Sequence, residues 1–143
     1  MMIPSSEQLW QFSEQHYARP GVAEACLELQ DEQGANVNLL LLLIMLDARG
    51  FRAEPNLLLP LVEQRRPLFE QWRQLRRQLK AKLTTSDYLQ LLQHELALEA
   101  WQQQELLQGL IAHPPQPGTG GLLAYLRHLK LKDTPLWQLK LAG

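Results

Sequence analysis

The chain has 143 residues, 45 % of them hydrophobic and 20 % charged, with a formal net charge of −1. That length suits one compact domain, and ordinary apolar content with so small a net charge excludes disorder. Leu fills 33 positions and Gln 17, while Val, Ile and Thr together fill 10, so a β-rich fold is excluded in favour of helix. The single cysteine, Cys26, excludes an internal disulfide and a Cys-based zinc site. The class is an all-α protein of a reducing compartment.

The N-terminal segment Met1–Glu7 has no basic stretch leading into an apolar run, so no secretory leader is expected. Ser5 or Ser6 caps a first helix whose Leu9, Trp10, Phe12 and Tyr17 look inward. Arg19-Pro20-Gly21 breaks it, and Pro20 suits the first turn of a second helix. There Val22, Ala25, Cys26 and Leu29 form one apolar stripe, with Glu24, Glu28, Asp31 and Glu32 on the wet side and Gly34 as the stop. Asn36 or Asn38 caps a third helix. Its run from Leu39 to Leu46 is too short for the about 20 residues a bilayer span needs, so it is a helix buried on every side. Leu40, Leu43, Ile44 and Leu46 are its expected core residues. Asp47, directly after that run, is read at the exposed end of the helix, the alternative being a partner such as Arg49, Arg52 or an outside ligand.

Residues 51–56 are a connector with Asn56 as the next cap. A long helix over 57–83 follows, with Pro60 early and a kink or break expected before Leu68 because of Pro67. Leu68, Trp72, Leu75, Leu79 and Leu83 continue its helical spacing. Thr84-Thr85-Ser86-Asp87 makes a turn and cap, and a fifth helix runs to about Ala112. Leu89, Leu92, Leu96, Ala100, Leu107 and Leu110 are read on its inner face, and the short turn makes the last two helices an antiparallel hairpin. Residues 113–121, with three prolines and three glycines, are a linker by composition. Residues 122–131 are then a short amphipathic helix of about 15 Å, and Leu136–Leu141 trail off after Thr134-Pro135. The predicted architecture is a single bundle of about five helices (1–112), a Pro/Gly linker (113–121) and a C-terminal amphipathic helix with its tail (122–143).

A ten-residue helix is marginal alone in water. Leu122, Leu123, Leu126 and Leu129, helped by Trp137, must therefore dock on this chain, on a second copy or on another protein. Arg127, Lys130 and Lys132 suit the acidic side of the second helix around Glu24, Glu28 and Glu32, so docking is expected there, in cis or by exchange in a homodimer.

Charge is sorted along the chain: residues 1–34 carry −5, 57–83 carry +5, 84–112 carry −4 and 113–143 carry +3. Arg73, Arg76, Arg77 and Lys80 fall on one helical face. That face is either a grip for RNA phosphates or an acidic protein, or it is paired with Glu95, Glu99 and Glu105 across the hairpin or simply solvated; the paired or solvated reading is favoured. Catalytic chemistry is not legible. His94-Glu95 lacks a second His at position 98, no His has Glu three residues before it, and Gly118-Thr119-Gly120-Gly121 lacks the lysine of a phosphate loop. Glu24, Glu28 and Glu32 are read as a solvated face, and Cys26 as an inert small hydrophobe. No catalytic, cofactor or metal residue is assigned.

The run from Tyr17 to Asp31, with Gly34, Val37-Asn38-Leu39-Leu40 and Arg49-Gly50, resembles a small proteobacterial family known only as a domain of unknown function. Leu75-Arg76-Arg77 and Leu79-Lys80 extend the likeness loosely, so that it covers roughly residues 7–110. The chain departs from that family's pattern at Asn36, where aspartate is usual, and after Leu40, where an aromatic residue is usual. The resemblance implies a bacterial cytoplasmic helical protein and transfers no activity. The expected function is that of a non-enzymatic cytoplasmic interaction or adaptor module with a protein partner. The alternative is an RNA- or ribosome-associated protein using Arg73–Lys80.

Overall fold

The structure is a computed structural model that describes residues 3–143; Met1 and Met2, part of the segment read for a leader, lie outside them. Seven helices are present among the described residues: α1 (Ser6–Tyr17), α2 (Val22–Gln33), α3 (Val37–Arg49), α4 (Pro55–Leu79), α5 (Thr85–Ala112), α6 (Gly121–His128) and α7 (Thr134–Ala142). Two short strands, β1 (Phe51–Arg52) and β2 (Gln116–Pro117), pair antiparallel with Phe51 opposite Pro117 and Arg52 opposite Gln116. The all-α reading holds: α1–α5 and α6 answer to the expected bundle helices and C-terminal helix, and α7 is the one addition among the described residues.

Helix α3 lies at the centre, against α1, α2, α5, α6 and β1. Residues Asn38–Leu43, Met45 and Leu46 are buried along it, because a helix apolar all round must be covered all round. Ile44 is the exception among the expected core residues, being only half-buried. Caps set the local boundaries. Ser5 and Gln8 form a reciprocal capping box at α1, and the Asn36 side chain accepts the Leu39 N–H at α3. Gly21 precedes α2 with φ at 80°, so Pro20 stands outside the helix and not in its first turn. The stripe Val22, Ala25, Cys26 and Leu29 is buried as its spacing required.

The expected break before Leu68 does not occur. Helix α4 begins with Pro55 at its first position, leaving Asn56 inside the helix and not at its cap, and continues through Pro60 and Pro67. Each of those prolines forfeits a backbone hydrogen bond, but both are exposed, and buried Leu58, Val62 and Phe69 anchor the helix on its other side. The following helix α5 starts at the Thr84 cap, whose hydroxyl accepts the Asp87 N–H.

The C-terminal part is built into the core. Leu122, Tyr125, Leu126 and Leu141 belong to the same buried cluster as Leu39, Leu43 and Leu46. Helix α6 packs on α3 and α4, while α7 packs on α2 and α6. Residues 134–142 are thus a helix and not a trailing tail. Asp133 accepts the Leu136 N–H and Pro135 sits in the first turn, so Thr134-Pro135 starts a helix where the sequence was read as a stop. The last turn is held further by buried His16, whose Nε2 donates to the Leu141 carbonyl at 2.6 Å. Helix α7 thus docks on the second helix as expected, but no ion pair joins α6 or α7 to Glu24, Glu28 or Glu32 among the described residues, and α6 docks on α3 and α4 instead.

Asp47 explains how α6 is seated. Its Oδ1 accepts the N–H groups of Gly120 and Gly121 at 3.0 and 3.2 Å, and its Oδ2 accepts that of Leu122 at 3.3 Å. These are orphan donors of the first turn of α6, whose own N-cap, Gly120, has no side chain. Asp47 is therefore neither free at an exposed end nor paired with Arg49; it caps a helix 73 residues away. Gly121 is required by closeness, since a Cβ there would stand 2.9 Å from the Ala53 carbonyl oxygen. The Pro/Gly segment leading to it is pinned by the β1–β2 pair and by the Gly118 N–H donating to the Gly50 carbonyl.

Candidate interaction surface and cavity

Helices α4 and α5 run antiparallel. Arg65 meets Glu105 at 3.0 Å and Arg76 meets Glu95 at 2.7 Å, the partners running in opposite directions along the chain. Between Phe69 and Gln102 no residue is buried, so the distal halves of the two helices form an arm that packs chiefly on itself. On this arm Leu75 is 45 % and Leu89 54 % exposed. Leu96, nearer its root, is exposed as well. Leu89 and Leu96 thus do not lie on an inner face as expected. Of the other residues read on that face, Leu92 and Ala100 are half-buried and Leu107 and Leu110 are buried.

The four residues of the basic face have four different surroundings. Arg76 is engaged with Glu95 and reaches the Tyr88 hydroxyl, and those hydrogen bonds raise its pKa against the desolvation that lowers it. Lys80 places its Nζ 5.9 Å from the Tyr88 ring centre. Arg77 is exposed, and Arg73 is half-buried at the root of the arm. Among the described residues, Arg73, Arg77 and Lys80 have no carboxylate within 4.0 Å. Of the expected carboxylates, Glu95 pairs within the face, Glu105 pairs with Arg65 outside it, and Glu99 pairs with neither.

Glu99 belongs instead to a polar network inside the bundle. Its Oε2 accepts from Asn38 Nδ2 at 2.6 Å, and the same nitrogen donates to Gln102 Oε1 at 2.9 Å. With its amide nitrogen so committed, Asn38 presents its oxygen to Gln103 Nε2, which also donates to the Ser13 hydroxyl. Gln102 Oε1 accepts from Asn36 as well, and the Asn36 N–H donates to the Tyr125 hydroxyl. Two amide atoms are left over, Gln102 Nε2 and Gln103 Oε1, both buried without a protein partner. Burial raises the pKa of Glu99; the Asn38 hydrogen bond and the charge of Arg73 act the other way.

This network floors a cavity of about 370 Å³ into which α1, α2, α3, α4 and α5 all contribute. Trp10, Tyr17, Leu27, Val37, Leu41 and Leu96 supply its apolar walls. Asn38, Glu99 and Gln103 supply the floor, with Arg73, Arg76 and Glu95 to one side. Its size lies in the range of small-molecule sites, and a few converging polar groups in an apolar cleft are what such sites present.

A family model described as Protein of unknown function (DUF2390) matches residues 8–106. The chain belongs to this family. No curated protein matches it, and no solved structure does. The matched segment holds α1 to α4 and most of α5, hence the whole cavity and the arm, whereas β2, α6 and α7 follow it. Asp47 lies inside the segment and the helix it caps lies outside.

The residues read as a docking stripe take these places: Leu122 and Leu126 are buried in the main core, and Leu129 and Trp137 are packed against it half-buried. Lys140 stands 4.4 Å from the Trp137 ring centre. Cys26 is buried, and desolvation pushes its thiol up to about 12. Among the described residues no three His, Cys, Asp or Glu side chains converge as metal ligands, and no helix is long and apolar enough to cross a membrane. Sequence reasoning missed the cavity. Asn36 and Asn38 read only as caps and the glutamines of α5 carry no assignment, although Gln102 and Gln103 stand in the phase of the buried Leu106 and Leu110.

Proposed function

We propose that this protein is a non-enzymatic interaction module of the cytoplasm, and that the α4–α5 arm is the surface a protein partner reads. One observation carries the reading: the arm exposes Leu75 and Leu89 and also the cations Arg77 and Lys80, which have no carboxylate within 4.0 Å among the described residues. Exposed apolar groups that gather on one surface mark contact sites, and on this arm cations accompany them. The complementary occupant is an amphipathic helix with an apolar stripe and an acidic flank. Apolar burial would supply affinity, and the cations orientation and speed of encounter.

Binding to RNA is the competing reading, favoured by the same unpaired cations. It is the weaker one because Arg76 is taken by Glu95, which leaves three free charges in a chain of net charge −1. Affinity capture from lysate with and without nuclease separates the two, using the wild type, a Leu75→Gln/Leu89→Gln variant and an Arg77→Glu/Lys80→Glu variant. The proposal expects the same protein partner with or without nuclease, lost with both variants while their helical content and melting stay intact. Recovery of ribosomal material that nuclease removes would replace it with the RNA reading. Capture equal for all three chains overturns it.

A further inference from the structure

We propose that the cavity at the root of the arm binds a small zwitterion with an apolar body, of the free α-amino-acid class, its ammonium on Glu99 and its carboxylate on Arg73. The site is independent of the arm, and binding there does not require the arm to have a partner.

Two charged side chains of the cavity interior lack an ion-pair partner among the described residues. Glu99 is held in place through Oε2 by Asn38, itself fixed by Gln102 and Gln103, and its Oε1 has no hydrogen-bond partner among the described residues. Arg73 lines the same cavity with no carboxylate within 4.0 Å. The two sense each other electrostatically without touching. The other charges at the cavity are Arg76 and Glu95, which neutralise one another, and Glu14, which is exposed at the mouth. The interior thus offers one anion and one cation, apart and unpaired. A simple anion there would meet Glu99, and a simple cation would meet Arg73. A molecule carrying both charges satisfies both.

The anion is also held in one orientation. Gln103, 2 % exposed, fixes the Asn38 amide that holds Glu99 Oε2. An ammonium has three N–H donors and can give one to the free Oε1. The walls, with Trp10, Val37, Leu41 and Leu96, are suited to an aromatic or branched side chain, and about 370 Å³ accommodates one.

The test uses the full chain with L-phenylalanine and L-leucine as probes, followed by titration calorimetry and by the rise in melting temperature. N-acetyl-L-phenylalanine lacks the ammonium and L-phenylalanine amide lacks the carboxylate. Saturable binding of at least one amino acid is expected, weakened about tenfold or more by either blocked analogue and by Arg73→Gln or Glu99→Gln, since each removes one charge-assisted contact. The blocked analogues probe the unaltered protein, so the result stands even if a variant folds poorly. Absence of saturable binding by both amino acids at millimolar concentration overturns the proposal. So does equal binding of either blocked analogue, or an affinity unchanged in both folded variants.

Discussion

Replacing Asp47 tests whether the C-terminal part is latched to the domain by one side chain. Asp47→Ala leaves the N–H groups of Gly120, Gly121 and Leu122 without their acceptor. Loss of an N-cap side chain costs about 0.5–2 kcal/mol. A carboxylate at a partly buried helix N-terminus contributes up to about 2 kcal/mol more through the helix dipole. Asp47 is half-buried, so water recovers part of the loss, and the expected destabilisation is about 2–3 kcal/mol. Asp47→Asn keeps one oxygen for Gly120 and Gly121 but loses the charge and the contact to Leu122, and should cost about half as much. Equilibrium urea unfolding measures both, and for a chain of this size each kcal/mol corresponds to a fall of about 3 °C in Tm. Amide exchange gives a local readout, with Gly118 and Gly120–Leu122 exchanging faster in Asp47→Ala than the amides of α2. A stability within about 0.5 kcal/mol of wild type, the range of an ordinary surface change, would refute the latch.

Deleting residues 114–143 removes Leu122, Tyr125, Leu126 and Leu141 from the core. At about 1.5–3 kcal/mol per buried side chain this rivals the whole stability of a domain, so the truncated chain should lose its cooperative melt and bind an apolar dye; an unchanged melt would mean that these helices do not share the core. Glu99 gives a pH dependence of known sign. Its folded pKa is raised, so the folded state holds the proton longer, and this group's contribution to stability falls as pH rises above the ordinary value of 4.5 through the raised one. Glu99→Gln should remove that decline, read as the difference in urea midpoints between weakly acidic and neutral pH; an unaltered difference would assign the slope elsewhere. The Cys26 thiol, pushed up to about 12, should react with a thiol reagent near pH 8 only as fast as the chain opens, and prompt labelling of native protein would contradict its burial.

Much of the fold was legible because one physical signal, helical spacing of apolar residues, governs it. The stripe from Val22 to Leu29 and the run from Leu39 to Leu46 are buried because no other arrangement hides them. The errors came where a local rule met a tertiary one. Pro67 forbids a hydrogen bond but not a helix, since the segments on either side are each held down by a buried residue, Val62 before it and Phe69 after it. Pro135 taken alone is a stop, and Asp133 two residues earlier makes it a start. Residues 113–121 have the composition of a tether, yet the backbone of β1 and the Asp47 carboxylate fix them from outside the segment. Composition reports what a segment can do alone and is silent about what another part of the chain does to it.

The same limit hid the cavity, and its polar floor shows why the site is built this way. A bundle core filled with leucine alone would close, because leucine side chains pack to high density and tolerate no void. Asn38, Gln102 and Gln103 are amides at positions where the helical phase demands apolar residues, each at or below 4 % exposure. Buried amides cost stability unless every donor and acceptor is met, and this network leaves Gln103 Oε1 unmet beside the cavity. The family match covers these residues together with Arg73 and Glu99. A core that carries a desolvated carboxylate and a guanidinium without an ion-pair partner around one opening has given up stability there, and the proposed zwitterion would answer both charges at once.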